Sequence, residues 1–253
     1  MSLRVKRGVY RPMLAIFRKE INSFFSSLTA YVVMGVFLTA VGLLLWVFPS
    51  SNVLDYGYAD LNSFFYITPF VLLFLVPAVT MRSFAEEFRN GTIELLLTKP
   101  LSKWQLVMGK FWANLSLVLL TLAPTFLYFY SVYQLGNPVG NIDTGATLGS
   151  YIGLSLLCAV FVSVGLWASS FTDNQIVAFI IGVFICFLLY VGIGAIASLD
   201  FWGRFAFSLS WAALDQQYAD LGRGLIDSRN VVYLLSIVAL FLWLTQNQLE
   251  RKR

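Results

Sequence analysis

Six stretches of about twenty residues pass through this chain almost without charge, the length an α-helix needs to cross the hydrocarbon core of a bilayer. They fall at 29–48, 62–81, 106–130, 148–171, 176–197 and 231–245. The last is short, but a helix capped by Asp227 or Ser228 lengthens it. Backbone in lipid must satisfy its own hydrogen bonds, so apolar runs of this length fold as helices. The expected fold is an all-α integral membrane protein forming one transmembrane domain. Composition agrees: 58% of the 253 residues are hydrophobic and 12% are charged, against roughly 45–50% and about 25% in soluble domains. So few polar groups could not clothe a water-soluble surface, and disorder and nucleic-acid binding are excluded with it. The first stretch starts too far in and runs too long to be a signal peptide.

Lys and Arg set the expected orientation. Six basic residues precede the first stretch (Arg4, Lys6, Arg7, Arg11, Arg18, Lys19). Five lie between the second stretch and the start of the third (Arg82, Arg89, Lys99, Lys103, Lys110), and Arg251, Lys252 and Arg253 end the chain. The remaining three, Arg204, Arg223 and Arg229, share the opposite side. By the positive-inside rule both termini are expected in the cytoplasm, which an even number of spans allows.

The chemistry the chain lacks narrows its function. It contains no histidine, which removes His-based acid–base chemistry and His-containing metal or haem sites. Cys158 and Cys186 sit inside apolar runs and read as small buried hydrophobes. Within the six stretches the one charged residue is Lys110, a turn into the third, where it is expected to snorkel to the interface. Ion-coupled transporters and voltage sensors carry charges deeper than that. Ser163, Ser169 and Ser170 have no base to activate them. Small residues at four-residue spacing (Gly149 and Gly153, Ala159 and Ser163, then Ala178, Gly182 and Cys186) read as helix-packing seams. Pro69, Pro77 and Pro124 are expected to bend their helices.

Two pieces on the basic side are organised beyond simple connection. In residues 12–28, Leu14, Phe17, Ile21, Phe24 and Leu28 recur at steps of three and four, with Arg18 and Lys19 between them. That spacing predicts an amphipathic helix opened by Pro12 and lying in the membrane interface, its basic residues towards anionic headgroups. After the second stretch, helix is expected to continue through Phe88 and stop at Asn90-Gly91, with Gly91 in the left-handed C-terminal cap. Thr92 then caps a short helix over 92–98, with Glu94 favoured in its first turn, and Pro100 ends it. Ser102 and Gln105 form an S-x-x-Q capping box that opens the third span. Leu95, Leu96 and Leu97 are apolar enough to want a protein socket, although folding back on the bundle or lipid would also cover them.

The run Glu86-Glu87-Phe88-Arg89-Asn90-Gly91-Thr92-Ile93-Glu94-Leu95-Leu96-Leu97-Thr98-Lys99-Pro100-Leu101-Ser102, followed by Gly109-Lys110, resembles the E-x-x-x-G-T-x-E-x-L-x-x-x-P-[ILV]-[ST] signature of ABC-2-type transporter permeases. The six-span layout and the surface helix before span one fit as well. The run from Gly222 to Ser236 is similar to the gliding-motility (GldF-like) and NosY-like branch of that family. The resemblance implies that 92–98 is a coupling helix seated in a separate ABC-type ATPase subunit and that 12–28 is a connecting helix. It also implies a second permease copy, or a related membrane subunit with a large extracytoplasmic domain, and location in the inner (cytoplasmic) membrane. ATP and its magnesium would bind the ATPase, leaving this chain without cofactor, metal or catalytic residue. The sequence agrees that the nucleotide site lies elsewhere. No G-x-x-x-x-G-K-[ST] occurs, for Trp104 stands where the motif before Gly109-Lys110 needs Gly, and Phe111 follows.

The expected ATPase-coupling residues are Glu86, Glu87, Arg89, Gly91, Thr92, Glu94, Leu95 and Pro100, with Glu and Arg pairing to opposite charges on the ATPase. On the far side, residues 198–230 combine Phe201, Trp202, Phe205, Phe207 and Trp211 with helical spacing of Leu214, Tyr218, Leu221 and Leu225. Short helices on or in the outer leaflet follow, with Phe201, Trp202, Phe205 and Trp211 forming either an extracytoplasmic gate or a plain interfacial lid. The functional expectation is a permease subunit of an ATP-driven exporter, with a link to gliding motility. The alternative is a membrane scaffold that transmits force or aids assembly without moving a substrate.

Overall fold

The computed structural model describes residues 3–49, 51–55, 57–93, 102–199, 210–223 and 227–251, and among these every regular element is helical. In chain order they are α1 (Leu3–Ser26), α2 (Thr29–Trp46), α3 (Asn62–Thr80), α4 (Arg82–Arg89), α5 (Lys103–Leu122), α6 (Phe126–Leu135), α7 (Thr144–Ser169), α8 (Gln175–Phe187), α9 (Ile193–Ala197), α10 (Leu214–Leu221) and α11 (Ser228–Arg251). Six segments are long and apolar enough to cross a membrane: α2, α3 with α4, α5 with α6, α7, α8 to α9, and α11. The six expected spans are therefore all present.

Local chemistry starts these helices. Ser102 accepts from the Gln105 amide while the Gln105 side chain accepts from the Ser102 amide, completing the expected capping box of α5. Asp143 caps α7, Asn174 caps α8, and the Asp227 carboxylate takes the Arg229 amide at the head of α11. Pro124 sits in a 3-10 turn, Ala123–Thr125, that joins α5 to α6 and carries the third span to Leu135. Pro69 and Pro77 lie inside an unbroken α3. The fifth span is interrupted by a π-helical segment, Leu188–Gly192, between α8 and α9.

Helix α7 is the axis of the bundle, buried along most of its length and packed against α3, α5, α8, α10 and α11. Small residues permit the close crossings. A Cβ on Gly165 would run into the Thr80 hydroxyl of α3, and one on Gly182 would stand 3.2 Å from Cβ of Pro77. Gly182, in the small-residue seam of the fifth span, thus serves helix packing as its spacing predicts. By contrast α2 and α8 turn Val32, Val36, Ile180 and Phe184 outward, a surface suited to lipid.

Two expectations about α1 need correction. The helix starts at Leu3, and Pro12 lies within it. Its packed face is also rotated from the predicted stripe. Ile16, Glu20 and Phe24 are buried with Phe17 and Ile21 partly so, whereas Leu14 and Leu28 are 51% and 79% exposed. The cause is α5, which gives α1 a protein surface to pack on. A Cβ on Gly109 would lie 2.8 Å from Cγ2 of Ile16 and 3.2 Å from the Met13 carbonyl oxygen, so the two helices meet nearly backbone to side chain. Helix α10 likewise packs into the bundle, with Leu214, Gln217, Tyr218 and Leu221 buried. Gly153 of α7 leaves room for them, so one face of α10 lies against protein.

Candidate functional site

The site is built where α1, α4 and α5 converge. Helix α4 continues the second span past a one-residue break at Met81. The break is stitched from the fourth span. Ser169 Oγ accepts from the amides of Phe84 and Ala85 at 2.8 and 3.1 Å and donates to the Met81 carbonyl at 3.1 Å. Ser169 thus has a structural role. The helix ends as expected, with the Asn90 amide on the Glu86 carbonyl and Gly91 at φ +67°. A side chain rarely adopts that conformation, which is why Gly stands there. Arg89, Asn90, Gly91 and Thr92 are exposed beyond this cap. The Thr92 hydroxyl donates back to the Glu87 carbonyl at 3.4 Å.

Beneath that exposed turn lies a cluster of four charges, three of them buried and the fourth, Lys19, at its wetter edge. Lys110 of α5 is 1% exposed, so the expectation that it snorkels to the interface is overturned. Its Nζ lies 2.9 Å from Glu20 Oε1 of α1 and 2.9 Å from Glu87 Oε1 of α4, and donates to the Ser83 carbonyl at 2.6 Å. Lys19 approaches the same Glu87 oxygen at 3.1 Å and Glu20 at 3.6 Å. Two cations face two anions, so the cluster is neutral. That neutrality is what makes the burial tolerable, because an unpaired charge here would cost several kcal/mol, roughly 3–5. The Lys110 ammonium also lies 5.1 Å from the centre of the Phe84 ring. Asn114, one turn on, donates to the Lys110 carbonyl at 2.8 Å and to Ser83 Oγ at 3.1 Å.

Half-burial pulls the Lys19 ammonium towards a lower pKa, but the Glu87 and Glu20 carboxylates outweigh it and hold the value above 10.5. Glu87 Oε2 is buried without a hydrogen-bond partner among the described residues. Nearby, Arg82 donates to the Thr29 hydroxyl at 2.6 Å and lies 3.9 Å from Glu86. The foot of the first span is thereby joined to the same assembly.

The structure therefore redistributes the predicted coupling residues. Arg89, Gly91 and Thr92 form the exposed turn and Glu86 is half-exposed, while Glu87 faces inward with its partners in this same chain. The expected pairing of Glu87 with an external charge is thus corrected, because Lys110 and Lys19 already occupy it. Glu94, Leu95 and Pro100 lie outside the described residues, as do Phe201, Trp202 and Phe205. Trp211 is described, with its ring 5.3 Å from that of Tyr233 and its carbonyl accepting from Gln217. In α1, Lys19 joins the cluster, Phe24 is buried, and Leu14 and Arg18 face outward.

Sequence reasoning missed Glu20, Ser83 and Asn114. Glu20 occupies the packed face between Ile16 and Phe24, which the predicted stripe did not mark and where an unpaired carboxylate would not be stable.

Six membrane-length helices, with a helical extension tied to the bundle by buried charge at one end, define a multi-pass membrane protein. The chain belongs to the ABC-2 transporter family: the family described as ABC-2 family transporter protein matches residues 13–201, three-quarters of the chain. It is accordingly a multi-pass membrane subunit of an ABC transporter, in a family that works with an ABC ATPase subunit. No curated protein matches it. The matched segment contains Glu20, Glu87 and Lys110 and stops short of α10 and α11.

Proposed function

We propose that this chain converts ATP-driven closure of its ATPase subunit into movement of its own membrane helices, in the direction of export. The observation that carries this reading is the neutral Lys110–Glu87–Glu20–Lys19 cluster directly beneath the exposed turn at Arg89–Thr92. A push on that turn reaches α4 first. Glu87 then passes it to α5 through Lys110 and to α1 through Glu20 and Lys19, so three elements move together. In this reading the turn and the expected coupling helix over 92–98 seat in the ATPase, which binds the nucleotide and magnesium. The cluster end and both termini face the cytoplasm, in keeping with the basic residues there. The membrane is the inner membrane. A second copy or a related membrane subunit completes the transport path, and the resemblance of 222–236 to the gliding-motility branch suggests the setting.

The test is mild-detergent purification of the tagged chain from its native membrane, followed by ATPase assay of the complex. A bound P-loop ATPase is expected. Gly91→Pro should abolish coupling while membrane insertion persists, because proline is fixed near φ −65° and this cap needs +67°. Glu94→Lys should do the same. Normal coupling in both variants would overturn the reading. An ATPase that binds constitutively and ignores every candidate substrate would place the chain among scaffolds.

A further inference from the structure

The far end of the bundle contains a second device, which joins a helix beyond the family match to a flaw in the second span. Residue 69 is proline, which has no N–H to give the carbonyl four residues earlier. That carbonyl belongs to Phe65, and it is buried, where an unmet acceptor is costly. The Tyr218 hydroxyl of α10 donates to it at 3.0 Å, across 153 residues of sequence. Tyr218 is itself 7% exposed.

Other irregularities meet at the same helix. Gly153 of α7 lets α10 approach so closely that a Cβ there would stand 3.2 Å from both Tyr218 Cδ2 and Leu221 Cβ. The π-helical segment of the fifth span also packs on α10, and such segments concentrate at functional sites. Within it, Tyr190 sets its ring 5.7 Å from that of Phe70, the residue after Pro69. Gln217 donates to the Trp211 carbonyl, while Tyr233 of α11 donates to that of Ala212. The first bond folds the approach onto α10 itself, and the second ties it to α11.

We infer that Tyr218 is a positioning residue, a latch that holds α10 closed over this end of the bundle by using the carbonyl that Pro69 leaves free. The latch is released when the second span moves. From Phe65 to Glu87 that span covers about 33 Å at 1.5 Å per residue, close to the thickness of the hydrocarbon core. One nearly continuous helix thus carries the charge cluster at one end and the latch acceptor at the other. The inference rests on the proposed function for its driving force, but the latch itself does not.

The test uses the full chain in native membrane vesicles. Leu214→Cys places a thiol at the buried start of α10, and a membrane-impermeant maleimide reads how often that position opens. The parent chain, with Cys158 and Cys186 fully buried, sets the background. Adding Tyr218→Phe removes one hydroxyl and should speed labelling roughly five- to tenfold, the scale of one lost hydrogen bond and an orphaned carbonyl. In a Pro69→Ala background the helix supplies its own donor to Phe65, so Tyr218→Phe should then matter far less. That difference separates a latch on the Pro69 carbonyl from a general loosening of α10. Unchanged labelling in Tyr218→Phe, or an equal increase in both backgrounds, would overturn the latch. ATP added to vesicles containing the ATPase should accelerate labelling. If Tyr218→Phe acts as expected but ATP does nothing, the latch stands and the coupling reading fails. If ATP acts and Tyr218→Phe does not, the reverse holds.

Discussion

Lys110 has two carboxylates at 2.9 Å and a carbonyl at 2.6 Å, so its charge is closely paired. Removing the ammonium while leaving Glu20 and Glu87 in place leaves one excess negative charge in a buried site. Lys110→Met should therefore lower stability by about 3–5 kcal/mol, measured as thermal unfolding in detergent. Adding Glu20→Gln restores neutrality and should recover part of that loss. Equal losses in the single and double variants would mean that the two side chains do not sense each other. Lys19 occupies the wetter side of the cluster, and its folded pKa is raised above 10.5. A raised lysine contributes stability in full below about pH 10.5 and loses it as pH climbs through the folded value. Unfolding midpoints should then stay level through neutral pH and fall in strong alkali, and Lys19→Gln should flatten that alkaline fall.

Between elements, the decisive contact is α1 on α5. Their crossing at Gly109 brings α1 near enough for Glu20 to reach Lys110. Gly109→Ala would force a methyl to within 2.8 Å of Ile16 Cγ2 and 3.2 Å of a backbone carbonyl oxygen. Overpacking of this kind costs about 1–3 kcal/mol, and here it should also separate the two helices and weaken ATPase coupling. Ile16→Ala in the same chain should return part of both, since it removes the nearer obstruction but not the carbonyl. Unfolding and ATPase assays of the three variants check this. No recovery in the double variant would mean that Gly109 matters for a reason other than clearance. The second span shows the complementary device. Its break at Met81 is closed by Ser169 from α7, so the axis helix of the bundle also fixes the direction in which α4 leaves.

At the scale of the whole molecule, two features separated by the width of a membrane share one helix: the charge cluster at Glu87 and the carbonyl freed by Pro69. The six spans, the capping box at Ser102 and Gln105, the Gly91 cap and the Asp227 start of α11 were all legible in the sequence. The spans depend on one continuous apolar run and the caps on residues within about four positions of one another, where spacing translates directly into geometry. The partnership of Glu20, Glu87 and Lys110 was not legible, because it joins helices separated by at least 23 positions in sequence. Read locally, Lys110 was a lysine near an interface; only packing gave it two carboxylates. The packed face of α1 was misread for the same reason, since periodicity marks an apolar stripe but not which neighbour will cover it. Tyr218 was recognised as part of a helical pattern, yet the acceptor that gives it meaning lies 153 positions away. Composition and short-range pattern by themselves determined that this protein is a six-span helical membrane protein with a structured turn after its second span. Only the tertiary structure decided which buried charges meet and which carbonyl is rescued, because in a low-dielectric interior those pairings depend on distances that the linear order does not set.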